Sequence, residues 1–487
     1  MNSSIALAVA LGNDARLTEE RTAEIMEMKA AEEYQAFLAR KAQLANGSGF
    51  EPIWMPDFLF DFQQHLTDWT IRMGRAAQFQ DCGFGKSVQE LVYGENVIRK
   101  TNGKVLLLTP LSVSKQTELE ADKFGIEAHV SRDGKPRKNI TITNYERLHH
   151  FNPDDFTGVI CDESSILKNF NGKTKAVVTE FMRQIQYRTL WTATAAPNDY
   201  IELGTSSEAL GNLGCIDMQN QFFKNDQNNT GRGRVYGQGR TWRFKGHSPE
   251  PFWRWVSSWA RAMRKPSDFG FDDSRFVLPA LIEREHIVKA QTLAAGMLFE
   301  LPAFGRREEL EEQRRTVKER CQKAAELAQT GKPVVIYCNL NDEAELLAKL
   351  LPDLVNVKAK TSEADMRERE EVFAGFSSGQ IRGLILKPKV GALGLNWQHC
   401  AHVIGFPTHS YEMYYQYIRR FWRFGQTQDV VSDLVTTESG ARIKENLQRK
   451  AKQADRMFSE LVRHMNNALT IKSTGITKPV ELPQWLS

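Results

Sequence analysis

The chain has 487 residues, 41% of them hydrophobic and 25% charged, with a formal net charge of +4, a balance that fits globular domains and excludes a disordered or fibrous chain. At this length one core cannot serve the whole, so roughly two to four domains are expected, and the small net charge does not by itself demand a polyanionic partner. Six scattered cysteines with no CxxC pair argue against a zinc site or a disulfide framework, and no stretch approaches the ~20 apolar residues of a membrane span, so a soluble, cytoplasmic protein with no membrane contact is expected.

Residues 18–45 read as a charged helix with an apolar stripe (Ile25, Tyr34, Phe37, Leu38), ended by the breaker at 46–49. From 58 to about 215 short apolar runs at 105–109, 140–143, 159–161 and 189–192 alternate with polar helical stretches, which predicts a parallel sheet wrapped by helices. Periodicity fades from 210 to about 284, where glycine, arginine and tryptophan are abundant. Between Thr230 and Lys265 nine arginines and lysines stand against Glu250 alone. This segment reads equally as an element that grips or separates nucleic-acid strands and as an insertion whose tryptophans pack. A charged helix is expected over 306–329.

Alternation resumes with strands at 334–338, 355–358, 382–387 and 402–406 and helices at 342–351 and 364–376. A basic amphipathic helix over 442–465 then closes the chain and is expected to brace the two units. The domains implied are an N-terminal extension (1–49), a first α/β unit (50–215), an insertion and linker (216–330), a second α/β unit (331–440) and a C-terminal helix and tail (441–487).

Three sets of residues carry chemistry. Gly83-Phe84-Gly85-Lys86-Ser87 lies between an apolar run and a helix, the setting in which backbone amides, a helix N-terminus and a lysine hold phosphate; Ser87 suits Mg²⁺. Gln80 stands where the full phosphate-loop pattern has its first glycine. Asp162-Glu163 ends an apolar strand, with Asp162 suited to Mg²⁺ and Glu163 to orienting a water. On a helix through 416–426, Gln416, Arg420 and Arg423 fall at i, i+4 and i+7 on one face, two guanidinium forks for one phosphate, with Gly425 as the helix stop. Residues 192–198 and 391–396 are candidate phosphate-coupling loops.

In this order the motifs resemble superfamily-two helicases and, within them, the Swi/Snf-type DNA translocases in a compact phage or bacterial form. Asp61-Phe62-Gln63 resembles the adenine-reading glutamine element. Residues 81–87 resemble motif I, 109–112 motif Ia and 143–146 motif Ib; Asp162-Glu163 with Lys168-Asn169 resembles the DExH box, 192–198 motif III, 391–396 motif V and 416–426 motif VI with a Swi/Snf-like Gly-Gln ending. Ser164-Ser165 replaces Ala-His, and Trp422 stands where histidine is usual. The resemblance implies an α/β fold of two RecA-like parallel-sheet lobes in tandem, with a helical insertion and a C-terminal helix. It also implies an ATP- and Mg²⁺-dependent, DNA-stimulated ATPase acting as a monomer. Gln63, Gly83, Gly85, Lys86, Ser87 and Asp162 would bind nucleotide and metal, and Glu163, Gln416, Arg420 and Arg423 would act in catalysis. An RNA helicase, the motor subunit of a nuclease complex and a non-catalytic scaffold are the competing readings.

Overall fold

In the computed structural model the described residues are 48–473, without 112, 170–171, 226–241, 247, 290–305, 359–362, 392–395, 408–409 and 438–440. The helix expected over 18–45, part of the basic stretch at 230–241 and most of the loop at 391–396 lie outside them.

The elements run in order as α1 (Asp61–Met73), β1 (Arg75–Gln80), α2 (Lys86–Thr101), β2 (Val105–Thr109), α3 (Ser114–Lys123), β3 (Ala128–Val130), β4 (Ile140–Asn144), β5 (Gly158–Asp162), α4 (Lys173–Arg183) and β6 (Tyr187–Trp191). Next come α5 (Leu203–Leu210), α6 (Cys215–Phe222), β7 (Phe223–Asn225), β8 (Trp242–Phe244), α7 (Pro249–Ser257), β9 (Ala260–Met263), β10 (Leu281–Val288), α8 (Arg306–Arg315) and α9 (Val317–Ala328). The last part holds β11 (Val334–Tyr337), α10 (Asn341–Leu350), β12 (Val355–Val357), α11 (Glu363–Ser377), β13 (Gly383–Leu386), α12 (Pro388–Gly391), β14 (His402–Gly405), α13 (Tyr411–Ile418), β15 (Val430–Thr437) and α14 (Ala441–Ser473).

Two parallel sheets result. The first has the order β3-β4-β2-β5-β6-β1-β9 and the second β10-β15-β14-β11-β13-β12, with every neighbouring pair parallel. Strands covered on both faces need continuous apolar runs, and the alternation within each run decides which face a side chain serves. In β2, Leu106 and Leu108 enter one core while Val105 and Leu107 enter the other. In β11, Val335 and Tyr337 face one cluster, Val334 and Ile336 the opposite one. The expected fold, two tandem parallel-sheet α/β lobes with helices, is the observed one.

The stretch from 216 to 330 differs from a simple insertion. Its strand β9 pairs with β1 and so extends the first sheet, whereas β10 pairs with β15 at the edge of the second. Phe252, Trp253, Trp255 and Trp259 are buried in the core of the first lobe. Arg261 is buried with its guanidinium 4.0 Å from the Trp69 ring centroid. The described aromatics of this segment therefore pack, and a strand-gripping role for them is not what their positions offer. The helix expected over 306–329 is broken once, at Thr316, whose hydroxyl donates back to the Glu312 carbonyl at 2.8 Å.

α14 leaves the second lobe and returns to the first. Met457, Phe458, Leu461 and Met465 join the core that holds Trp253 and Trp259, each buried side chain contributing roughly 1.5–3 kcal/mol. Arg264 pairs with Asp455 at 2.7 Å, and the Tyr200 hydroxyl donates to the Gln453 carbonyl at 3.2 Å.

Candidate functional site

The loop from Asp81 to Gly85 leaves the C-terminal end of β1 and enters the N-terminus of α2. Gly83 (φ 91°) and Gly85 (φ 71°) hold left-handed backbone, and a β-carbon on Gly85 would stand 2.5 Å from Gln63 Nε2. Conformation and space both demand glycine there. The first turn of α2 carries no acidic residue, so its amides and dipole favour an incoming anion. Lys86 Nζ donates to the carbonyls of Gln80 at 3.1 Å and Asp81 at 3.3 Å, lying back over the loop.

Buried glutamines shape this loop from below. Gln63 Nε2 donates to the Phe84 carbonyl at 2.9 Å, while its Oε1 accepts from the Phe60 amide at 2.9 Å. Each end of that amide retains one further hydrogen-bonding position. Gln80 and Gln89 pair through their amides at 2.8 Å, and Gln89 also donates to Phe84 and Gly85 carbonyls at 3.2 Å. Gln80, in the place of the usual glycine, thus has a structural role that its position in the motif did not disclose.

Asp162 closes β5, and Glu163 follows it with φ 51°, a strained conformation for a non-glycine residue. The Glu163 amide donates to Asp162 Oδ1 at 2.9 Å, and the Thr192 hydroxyl donates to Glu163 Oε2 at 3.3 Å. Burial first, and the Glu163 charge second, push the Asp162 carboxyl up to about 7 against the pull of Lys86. A divalent cation would hold that carboxylate ionised. Among the described residues no cluster of three or more His, Cys, Asp or Glu is arranged to hold a metal. An oxygen-preferring ion such as Mg²⁺ would take Asp162 and the Ser87 hydroxyl as protein donors and complete its shell with nucleotide phosphates and water.

A third carboxyl, Glu90, sits one turn into α2 at 0% exposure, and neither of its oxygens has a hydrogen-bond partner among the described residues. Burial, then the charge of Asp162, raises it well above the ordinary range. Folding therefore takes up a proton that the unfolded chain releases, so this stability is full below about pH 4 and is lost as pH rises. Glu90→Met is expected to stabilise the protein by about 1–3 kcal/mol at pH 8 and by much less at pH 5. Calorimetric unfolding at both pH values checks this; an equal gain at the two would refute it.

The second lobe brings α13 and the turn after it against this loop. The single helix expected over 416–426 is not formed. α13 stops at Ile418, and the Phe421 and Trp422 amides both return to the Ile418 carbonyl, at 3.0 and 2.9 Å. Arg420 and Arg423 consequently sit on a tight turn rather than on successive helical positions. That turn is stapled by Gln426, whose Nε2 donates to the Gln398 and Phe421 carbonyls at 2.9 and 3.1 Å while its Oε1 accepts the Thr427 and Gln428 amides. A β-carbon on Gly83 would stand 3.1 Å from the Phe424 amide nitrogen and 3.4 Å from Arg423 Cβ. Burial first, and the neighbouring Arg420 charge second, lower the Arg423 guanidinium, and an anion arriving between the lobes would favour its charged form.

Gln416 and Glu163 line one cavity of about 420 Å³ between the lobes, together with Pro110, Tyr145, Lys168 and Val390. In the loop after β6, Asn198 is held by Glu202 at 2.9 Å and accepts from Lys450 of α14 at 3.0 Å. Sequence reasoning missed Arg419, which reaches across to Asp81, and Glu412, which pairs with Lys168. Their spacing with Tyr415, at i, i+3 and i+7, puts the three on one face, but nothing in that spacing marks the distant partners.

Residues 317–425 match the model of the helicase conserved C-terminal domain. Among solved structures the chain is similar to S. cerevisiae Dbp5 bound to RNA and ADP BeF3, with a TM-score of 0.51, 10% sequence identity, and coverage of 86% of this chain and 97% of that one. At that identity the likeness concerns the fold, two RecA-like lobes in tandem. No curated protein matches the chain. Among the described residues no helix is long and apolar enough to cross a membrane.

Proposed function

We propose that this chain is a nucleic-acid-stimulated ATPase of the superfamily-two helicases, a DNA translocase or helicase of the Swi/Snf type. The observation that carries the reading is the close approach of Gly83 to Phe424 and Arg423, where a β-carbon would stand 3.1 Å from the Phe424 amide nitrogen, because a phosphate held by the loop then lies beside guanidinium groups from the other lobe. Lys86 and the loop amides bind the β- and γ-phosphates, and Gln63 reads the base edge. Ser87 and Asp162 would hold Mg²⁺, which when bound neutralises charge on the phosphates. Glu163, oriented by Thr192, positions water for in-line attack. Arg420 and Arg423 stabilise the charge of the transferring phosphoryl group, and Gln416 senses the water from the cavity it shares with Glu163.

Each turnover closes and opens the cleft, and the nucleic acid lies across both lobes, held through phosphates. Preference for DNA rests on the Swi/Snf-like form of residues 416–426. The test is the steady-state ATPase rate with single-stranded DNA, duplex, forked DNA and RNA. DNA is expected to stimulate turnover, with half-saturation rising steeply with salt. Stimulation by RNA alone would overturn the DNA assignment, and no stimulation by any of them would overturn the motor.

A further inference from the structure

α13 presents a second face beside Gln416. Glu412, Tyr415 and Arg419 lie at i, i+3 and i+7, and all three reach the first lobe. Glu412 pairs with Lys168, and Tyr415 and Arg419 take the two oxygens of Asp81. Asp81 is only 5% exposed and Arg419 9%. The Arg419 guanidinium lies over two rings, 4.5 Å from the Trp422 centroid and 5.2 Å from that of Tyr415. Trp422 is fixed in turn, its Nε1 donating to the Pro279 carbonyl at 2.7 Å, just before β10.

Such a buried pair adds little net stability, but its geometry is exacting, since removing one partner strands the other charge. Stacking over aromatic rings narrows the guanidinium further. The chain distances are short on both sides. Asp81 is two residues before Gly83 and supplies a carbonyl to Lys86, while Arg419 adjoins Arg420 and is four residues before Arg423. One ion pair thus joins the phosphate loop to the arginine turn.

We propose that Asp81, Tyr415, Arg419 and Trp422 form a latch between the lobes, in which Asp81 and Arg419 are positioning residues that set the register of Arg420 and Arg423 over the phosphate loop. Its positioning role rests on the ATPase reading above, whereas the latch itself is a contact between the lobes that needs no assumption about nucleotide. Trp422, standing where histidine is usual in the resembling family, is the wall against which Arg419 is held.

The test combines hydrogen exchange with kinetics on the full chain. Without nucleotide, Arg419→Gln and Asp81→Asn are each expected to speed amide exchange in both the 81–87 and 411–426 segments, while β2 and β11 stay protected. With nucleic acid, kcat should fall by about 10–100-fold, as a displacement of about 1 Å would cause, with KM for ATP changed less than about threefold. The double variant should be no worse than either single one. Trp422→Phe, which keeps a ring beneath Arg419, should retain most of the turnover and Trp422→Leu should lose it. Unchanged exchange in both segments for Arg419→Gln would overturn the latch whatever the ATPase shows. Faster exchange with an unchanged kcat would overturn the positioning role. Should Arg419→Gln lose protection throughout, Asp81→Asn decides by the same two readouts. Full turnover in Lys86→Ala would refute the ATPase reading alone and leave the exchange result standing.

Discussion

Lys86→Ala is expected to reduce nucleic-acid-stimulated ATP hydrolysis by about 10³-fold or more, equivalent to ~4 kcal/mol of transition-state stabilisation, while leaving the fold and nucleic-acid binding in place. Among the described residues the lysine makes no ion pair; its ammonium lies over the carbonyls of Gln80 and Asp81. Losing those two bonds costs at most about 1–3 kcal/mol of local stability. The amide cradle, built by Gly83 and Gly85 and underpinned by Gln63 and Gln89, remains. What disappears is the ammonium proposed to follow the β- and γ-phosphates through the reaction. Steady-state rates with unlabelled ATP and binding of a labelled DNA strand measure the two quantities separately. Turnover within about tenfold of the parent would remove residues 83–87 from the site.

How far the sequence discloses this arrangement depends on which physical force places each residue. The central strands β2 and β11 are legible because burial on both faces requires unbroken apolar runs, and their expected and observed spans agree within a residue. β9 reads Ala-Arg-Ala-Met and carries no such run. It pairs with β1 while Arg261 is buried over the Trp69 ring, a tertiary contact that local pattern does not encode. β10 forms the polar edge of the second sheet beside β15, and there Glu283, Arg284 and Glu285 interrupt the apolar alternation. The basic, tryptophan-rich segment illustrates the same limit: composition suggested either gripping or packing, and only the position of Trp253, Trp255 and Trp259 in the first core distinguishes them.

The site shows a similar division. Glycine spacing, a lysine and a strand-terminal Asp-Glu pair are local signals, and the structure brings Gly83, Lys86, Asp162 and Glu163 to the same edge of one sheet. The arginine segment is only half local. Helical periodicity groups Gln416 with Arg420 and Arg423, but α13 ends at Ile418, so only Gln416 lies on it; the two arginines follow on a turn closed by Gln426 and by amides returning to Ile418. The face that docks is then Glu412, Tyr415 and Arg419, whose partners lie about 250 to 340 positions away in sequence. No single-sequence periodicity contains that information, although the clustering of aromatics around Arg419 hints at a held cation.

The second large effect belongs to the far side of the cleft. Arg423→Ala is expected to lower stimulated kcat by about 10³-fold while ATP binding falls only a few-fold, because a guanidinium supplied from the opposite lobe acts on charge that grows in the transition state. The surroundings support this division. Burial and the adjacent Arg420 both disfavour the Arg423 charge, so the pair gains most when a highly charged phosphoryl group enters between the lobes. The close approach of Gly83 to Phe424 and Arg423, and the packing of Phe424 on Phe276 at 4.9 Å between ring centroids, hold this segment beside the phosphate loop. Arg423→Lys keeps the charge but not the planar fork and should recover only a small part of the loss. Single-turnover rates on the bound complex isolate the chemical step. A variant whose bound ATP is cleaved at the parental rate would show that the second lobe closes on the nucleotide without taking part in its hydrolysis.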